Sequence, residues 1–181
     1  DLAMTDRTLE ELWETAPRTA ERFDPARIAG LPEGARRYLA YAIAPGSPLP
    51  NAARIAMHGT IRLAESWDEF EAEQVIRWDR GFVWRARVKM KGLPVTGFDR
   101  WLDGEGRMRW KLFGLIPVVT GDAATGRFHY ETFGGYVEER RTFAGLTVPT
   151  RLRMGWHFGS ARFAERGGEF FRAELDRVEY R

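Results

Sequence analysis

The chain has 181 residues, 44% of them hydrophobic, with seven tryptophans and twelve phenylalanines; this is enough to bury one core and too apolar for a disordered chain. The absence of cysteine excludes disulfides, thiolate nucleophiles and cysteine metal sites. A net charge of only +2 argues against a dedicated nucleic-acid binder, and no apolar run approaches the roughly 20 residues that a membrane-spanning helix needs.

The first predicted element is a helix over Thr8–Ala16, where Leu9, Leu12 and Trp13 share a stripe. Thr8 or Asp6 could cap its start, and Pro17 ends it. A second helix begins after Leu31-Pro32, with Tyr38, Leu39 and Ala42 on one side and Arg36 and Arg37 on the other. Pro45, Gly46, Pro48 and Pro50 then form a linker. From Arg54 the period changes to two. Ile55, Met57, Gly59, Ile61 and Leu63 alternate with Arg54, His58, Thr60 and Arg62, and Phe70, Ala72, Gln74, Ile76 and Trp78 alternate with Glu69, Glu71, Glu73 and Arg77. A strand over Phe82–Met90 follows, with Trp84, Ala86 and Val88 on the apolar face and Arg85, Arg87 and Lys89 opposite. A three-residue loop, Asp79-Arg80-Gly81, would pair Trp78 with Phe82 and Ile76 with Trp84, setting Glu73 opposite Arg87 and Glu71 opposite Lys89. On that pairing the outer face is largely neutralised.

Further strands are predicted at Val95–Leu102, Arg107–Phe113, Phe128–Phe133, Tyr136–Phe143, Val148–Phe158 and Phe170–Tyr180, about eight to ten in all at ordinary strand lengths. The fold class is therefore mainly β, in the α+β sense: a long curved antiparallel meander sheet or half-barrel with two N-terminal helices packed against it. One domain covers 1–181, with a helical section and proline-rich linker over 1–50 and an antiparallel β section over 51–181.

A set of short motifs recurs in a fixed order: Leu31-Pro32 with Arg36-Arg37-Tyr38-Leu39, His58-Gly59, Ala72-Glu73-Gln74, Gly81-Phe82-Val83-Trp84, Asp103-Gly104-Glu105-Gly106, Gly114-Leu115-Ile116-Pro117-Val118, Phe133-Gly134-Gly135, Val148-Pro149, Gly155-Trp156-His157-Phe158-Gly159 and Glu169-Phe170-Phe171. Together they resemble a bacterial family of uncharacterised proteins, a domain of unknown function. The resemblance implies a long central segment between the Gly114–Val118 and Phe133–Gly135 motifs, where this chain has only a short polar connection from Val119 to Arg127. It also implies a curved half-barrel with helices on its concave side, an architecture similar to that of bacterial lipoprotein carriers. It implies no reaction.

No catalytic, metal or phosphate signature stands out. His58, His129 and His157 are not spaced as metal ligands, the glycine groups do not join a strand to a helix, and no metal or cofactor is expected. Asp99, His58 and Glu131 are the weak acid–base candidates. Asp99 lies between Phe98 and Arg100 near Trp101, where desolvation would raise a carboxyl pKa, and the plain alternative is a salt bridge to a neighbouring strand. Gln74 is the polar exception on the apolar face, and a buried amide needs a partner in the protein or in a ligand. With Trp84, Trp110 and Trp156 it makes the candidate ligand-binding set.

The leading function is a non-enzymatic module that binds an apolar or amphipathic small molecule, such as a lipid, between sheet and helices. The alternatives are an enzyme using an acid or base in the same cavity, and a structural or partner-binding β domain. A homodimer through a sheet edge and a small apolar partner are open, and nucleic acid is not expected. The start at Asp1 leaves the compartment open between the cytoplasm, which is favoured, and the periplasm after processing.

Overall fold

Among the described residues, alternation of apolar and charged side chains produces nine strands, and all of them join one sheet. The computed structural model describes residues 2–63, 65–122 and 132–181. Helix α1 (Leu2–Glu14), a 3-10 turn over Pro25–Ile28 and helix α2 (Glu33–Ala42) precede β1 (Ala52–Ile61), β2 (Asp68–Arg77), β3 (Gly81–Met90), β4 (Leu93–Leu102), β5 (Glu105–Leu112) and β6 (Ile116–Asp122). After them come β7 (Phe133–Phe143), β8 (Leu146–Trp156), a second 3-10 turn over Ala161–Ala164 and β9 (Glu169–Tyr180). The mainly β, open-sheet reading holds. The expected strand at Phe128–Phe133 lies almost wholly outside the described residues.

The strand order is β6-β5-β4-β3-β2-β1-β9-β8-β7, antiparallel throughout. It is thus two meanders, β1–β6 and β7–β9, joined where the last strand returns beside the first. The two edges, β6 and β7, run in the same direction, and only ten residues of chain lie between Asp122 and Phe133. The eleven Cα–Cα steps between them reach at most roughly 40 Å. The edges of a flat nine-stranded sheet would lie roughly 38 Å apart, before the connection had recrossed the length of a strand. The sheet therefore curls so that its edges approach.

The β2–β3 hairpin differs from the expected register by two residues. Gln74 pairs with Trp84, Glu73 with Arg85 and Glu71 with Arg87. The three-residue loop is Trp78-Asp79-Arg80, one position earlier than expected, and Gly81 enters β3 at φ +125° with its backbone pressed against the Trp101 carbonyl. Trp78 leaves the ladder: it is 62% exposed and its indole N–H donates to the Pro50 carbonyl. An even shift keeps every side chain on its face, so the apolar pattern alone could not tell the two registers apart.

One face of the sheet holds the main core. Phe70, Val88 and Val95 are its most buried members, packed with Met57, Ile61, Trp110, Ala173 and Leu175. The other face carries the charges and, over β2 and β3, a second small core in which Leu9 and Leu12 of α1 bury Val75 and Val83. Burying each leucine contributes about 1.5–3 kcal/mol. So α1 covers the charged face, not the aromatic one that the sequence reading assigned to the helices. The helix also starts at Leu2 rather than at a cap on Thr8 or Asp6.

An ionic clamp fixes α1 in that place. The Arg54 guanidinium donates from Nη1 and Nη2 to Glu10 at 3.0 and 2.6 Å, and from Nε to Glu73 at 2.6 Å. Glu73 also accepts from Arg85 at 3.0 Å. Glu10 first, and then Glu73, hold the Arg54 pKa above its ordinary value against the effect of burial. Glu73 is largely buried and Glu10 half exposed, so their removal has unequal costs. Glu73→Ala, which strips both arginines of their shared acceptor, should lower the unfolding free energy by about 1–3 kcal/mol. Glu10→Ala should cost only about 0.2–1 kcal/mol. Urea denaturation of the two variants checks the order.

Candidate functional site

The strand register places Ile55, Gln74, Trp84, Asp99 and Met108 in one row across β1 to β5. Their side chains share the aromatic face. The neighbouring row runs Met57, Ala72, Ala86, Gly97 and Trp110. Gly97 matters here, because a Cβ at that position would collide with the Trp110 ring. Its absence lets the indole lie over β4, where Nε1 donates to Asp99 Oδ1 at 2.9 Å. Trp84 sits 5.7 Å from Trp110, 6.1 Å from Phe70 and 6.4 Å from Phe171 between ring centroids. Edge-on and tilted aromatic pairs of this kind add modestly to the burial they provide.

Beside Asp99 the face opens into a recess of about 400 Å³. Phe82, Trp101 and Met108 supply its apolar lining, and Gly106 and Gly121 leave room on the β5 and β6 side. Trp101 is 45% and Met108 37% exposed. The Asp99 carboxylate has Trp110 as its partner and forms no ion pair among the described residues, although Arg100 and Arg107 also line the recess. Burial pushes its pKa above the usual carboxylate range, and the indole hydrogen bond offsets part of that. Gln74, half-buried one strand beyond Trp84, has no hydrogen-bond partner for its amide among the described residues.

The structure thus gathers Gln74, Trp84, Trp110 and Asp99, and separates them from the other candidates. Trp156 lies five strands from Asp99, stacked on Phe170 at 5.6 Å and against Phe133 at 5.1 Å. His58 is on the opposite face of the sheet from Asp99, in register with Glu71, at a groove of about 600 Å³ also lined by Thr60, Glu69, Arg87 and Lys89. Asp99 and His58 therefore cannot act on one substrate atom. Glu131 and His129 lie outside the described residues. Among the described residues no cluster of His, Asp and Glu side chains could hold a metal ion, and no helix is long and apolar enough to cross a membrane.

His58 owes its environment to an irregularity. Ala56 and Met57 pair with Arg177 and Leu175, leaving Asp176 as the extra residue of a β-bulge. Its carboxylate meets His58 Nδ1 at 2.8 Å. Parity reading puts His58 on the charged face but has no means of finding Asp176.

Residues 21–127 match a family of unknown function, DUF6544. The chain belongs to this family. The DUF6544 match takes in α2 and β1–β6, and with them Gln74, Trp84, Asp99 and Trp110; α1, β7–β9 and Trp156 lie beyond it. No curated protein and no solved structure matches the chain.

Two titrations follow. The Asp176 hydrogen bond raises the His58 pKa more than partial burial lowers it. The pair therefore stabilises the fold fully below the ordinary histidine value, and this contribution is lost as pH rises through the folded value. By NMR the His58 imidazole should titrate above its counterpart in Asp176→Asn. Asp99 has a linkage of the same sign in a lower pH range, since a raised carboxyl pKa means that stability falls as pH climbs from the ordinary value through the folded one. Asp99→Asn carries no such charge. Its melting temperature relative to the unaltered protein should therefore rise between about pH 3 and pH 7, as thermal melts across that range will show.

Proposed function

We propose that the protein is a non-enzymatic binding module for an apolar or amphipathic small molecule, such as a lipid, held on the aromatic face of the sheet. The observation that carries this reading is an opening on that face: α1 is clamped to the other side, while Phe82, Trp101 and Met108 line an open, mostly apolar recess, and Asp99 links it to Trp84 in register and to Trp110 by hydrogen bond. Its volume of about 400 Å³ lies within the usual range for small-molecule sites. The reading moves the ligand from between sheet and helices to the uncovered face. An acid–base enzyme using the same recess would have Asp99 as its carboxyl group.

Bromine on an alkyl chain quenches nearby indoles, so a brominated long-chain alcohol reports its own position. Titration should quench tryptophan fluorescence saturably, and the quenching should fall sharply in a Trp84→Leu/Trp110→Leu double variant. Each methylene buried contributes about 0.8 kcal/mol, so affinity should rise up to about fourfold per added carbon between octanol and dodecanol. Quenching that does not saturate, or that ignores chain length, contradicts the reading.

A further inference from the structure

We propose that the recess beside Asp99 selects the headgroup of the bound molecule, and that this headgroup is a cationic amine. The inference rests on the reading above and specifies its ligand.

Asp99 differs from the paired carboxylates of the charged face. Glu69, Glu73, Glu138, Glu139 and Glu169 each meet a lysine or arginine on the charged face. Asp99 faces the aromatic side, and its partner is an indole N–H on one oxygen. Arg100 and Arg107 also line the recess, but neither forms an ion pair with Asp99. Arg100 follows Asp99 on the opposite face, where its guanidinium lies 5.9 Å over the Phe98 ring, and Arg107 pairs with Arg100 in the same register position. A carboxylate in an apolar setting gains strongly from an opposite charge and repels a like one.

The walls fit the same ligand. Phe82 and Trp101 pair across β3 and β4 on the Asp99 side and line the recess with it. Aromatic faces attract a cation that approaches within about 6 Å. An ammonium donating to the second Asp99 oxygen would have ring surface on its flank and an apolar path toward Trp84 for its chain. A fatty acid would set a second negative charge beside the Asp99 carboxylate. A fatty alcohol could donate one neutral hydrogen bond and no more.

The test compares dodecylamine, dodecanol, dodecanoate and the short-chain butylamine below their micelle concentrations, with the full chain, by isothermal titration calorimetry. A charge-assisted hydrogen bond exceeds a neutral one by enough for about tenfold in affinity. Dodecylamine should therefore bind about tenfold more tightly than dodecanol, with dodecanoate weakest and butylamine undetected. Asp99→Asn keeps an oxygen for Trp110 and should bring amine and alcohol to within about twofold of each other. The comparison in the unaltered chain stands even if that variant folds poorly, which circular dichroism will show. Equal binding of all three long chains, preference for dodecanoate, or an amine preference that survives in Asp99→Asn overturns the headgroup assignment and leaves amphiphile binding standing. Butylamine binding as tightly as dodecylamine keeps the amine and overturns the amphiphile. No binding by any of the four overturns both.

Discussion

The Arg54 guanidinium, held between Glu10 of α1 and Glu73 of β2, ties the N-terminal helix to the charged side of the sheet. A curled nine-stranded sheet has two faces, and α1 lies across β2 and β3, so the choice of face determines what is left for function. Leu9 and Leu12 supply the burial that makes the contact favourable. Non-directional burial cannot by itself pick a side or a position. The forked guanidinium can, because its donors meet two carboxylates on different elements at once. With α1 so placed, Val75 and Val83 are sealed, and the aromatic side depends on its own rings for cover.

Those rings cover it incompletely. Phe70, Val88 and Val95 are buried at the centre of the aromatic face, but toward β4 and β5 the side chains lean apart around Gly106 and Gly121 and a recess remains. Gly97 contributes from the opposite direction. By having no side chain it allows Trp110 to lie over β4 and engage Asp99, so a backbone choice on one strand sets the partner of a carboxylate on the same strand. A carboxyl left with one neutral donor in such surroundings is destabilising to the fold when ionised. A group that weakens its own fold and opens onto a cavity is a natural place to look for a ligand.

Much of this was legible in the sequence. The period of two from Arg54 onward gives the strands, and parity alone assigns Gln74, Trp84 and Trp110 to one face and His58 to the other, while Asp99, between Phe98 and Arg100, is left open by it. Parity cannot fix which residues meet across strands when the shift is even, which is why the β2–β3 register differs by two and Trp78 swings out to Pro50. Nor does it follow a chain that leaves one edge and returns at the other, so Trp156 seemed a neighbour of Trp110 and lies near the far edge. The Asp176 bulge and the side taken by α1 were invisible for a related reason: each depends on contacts between segments far apart in sequence, Asp176 with His58 and Glu10 with Arg54.

Where an alkyl chain lies on the folded protein is the most direct measurement. A nitroxide-labelled alkyl alcohol, followed by NMR, should broaden the indole N–H signals of Trp84 and Trp110 while sparing the methyl groups of Val75 and Val83 beneath α1. Equal broadening at the two valines, or untouched indoles, would mean that the aromatic face is not the binding surface.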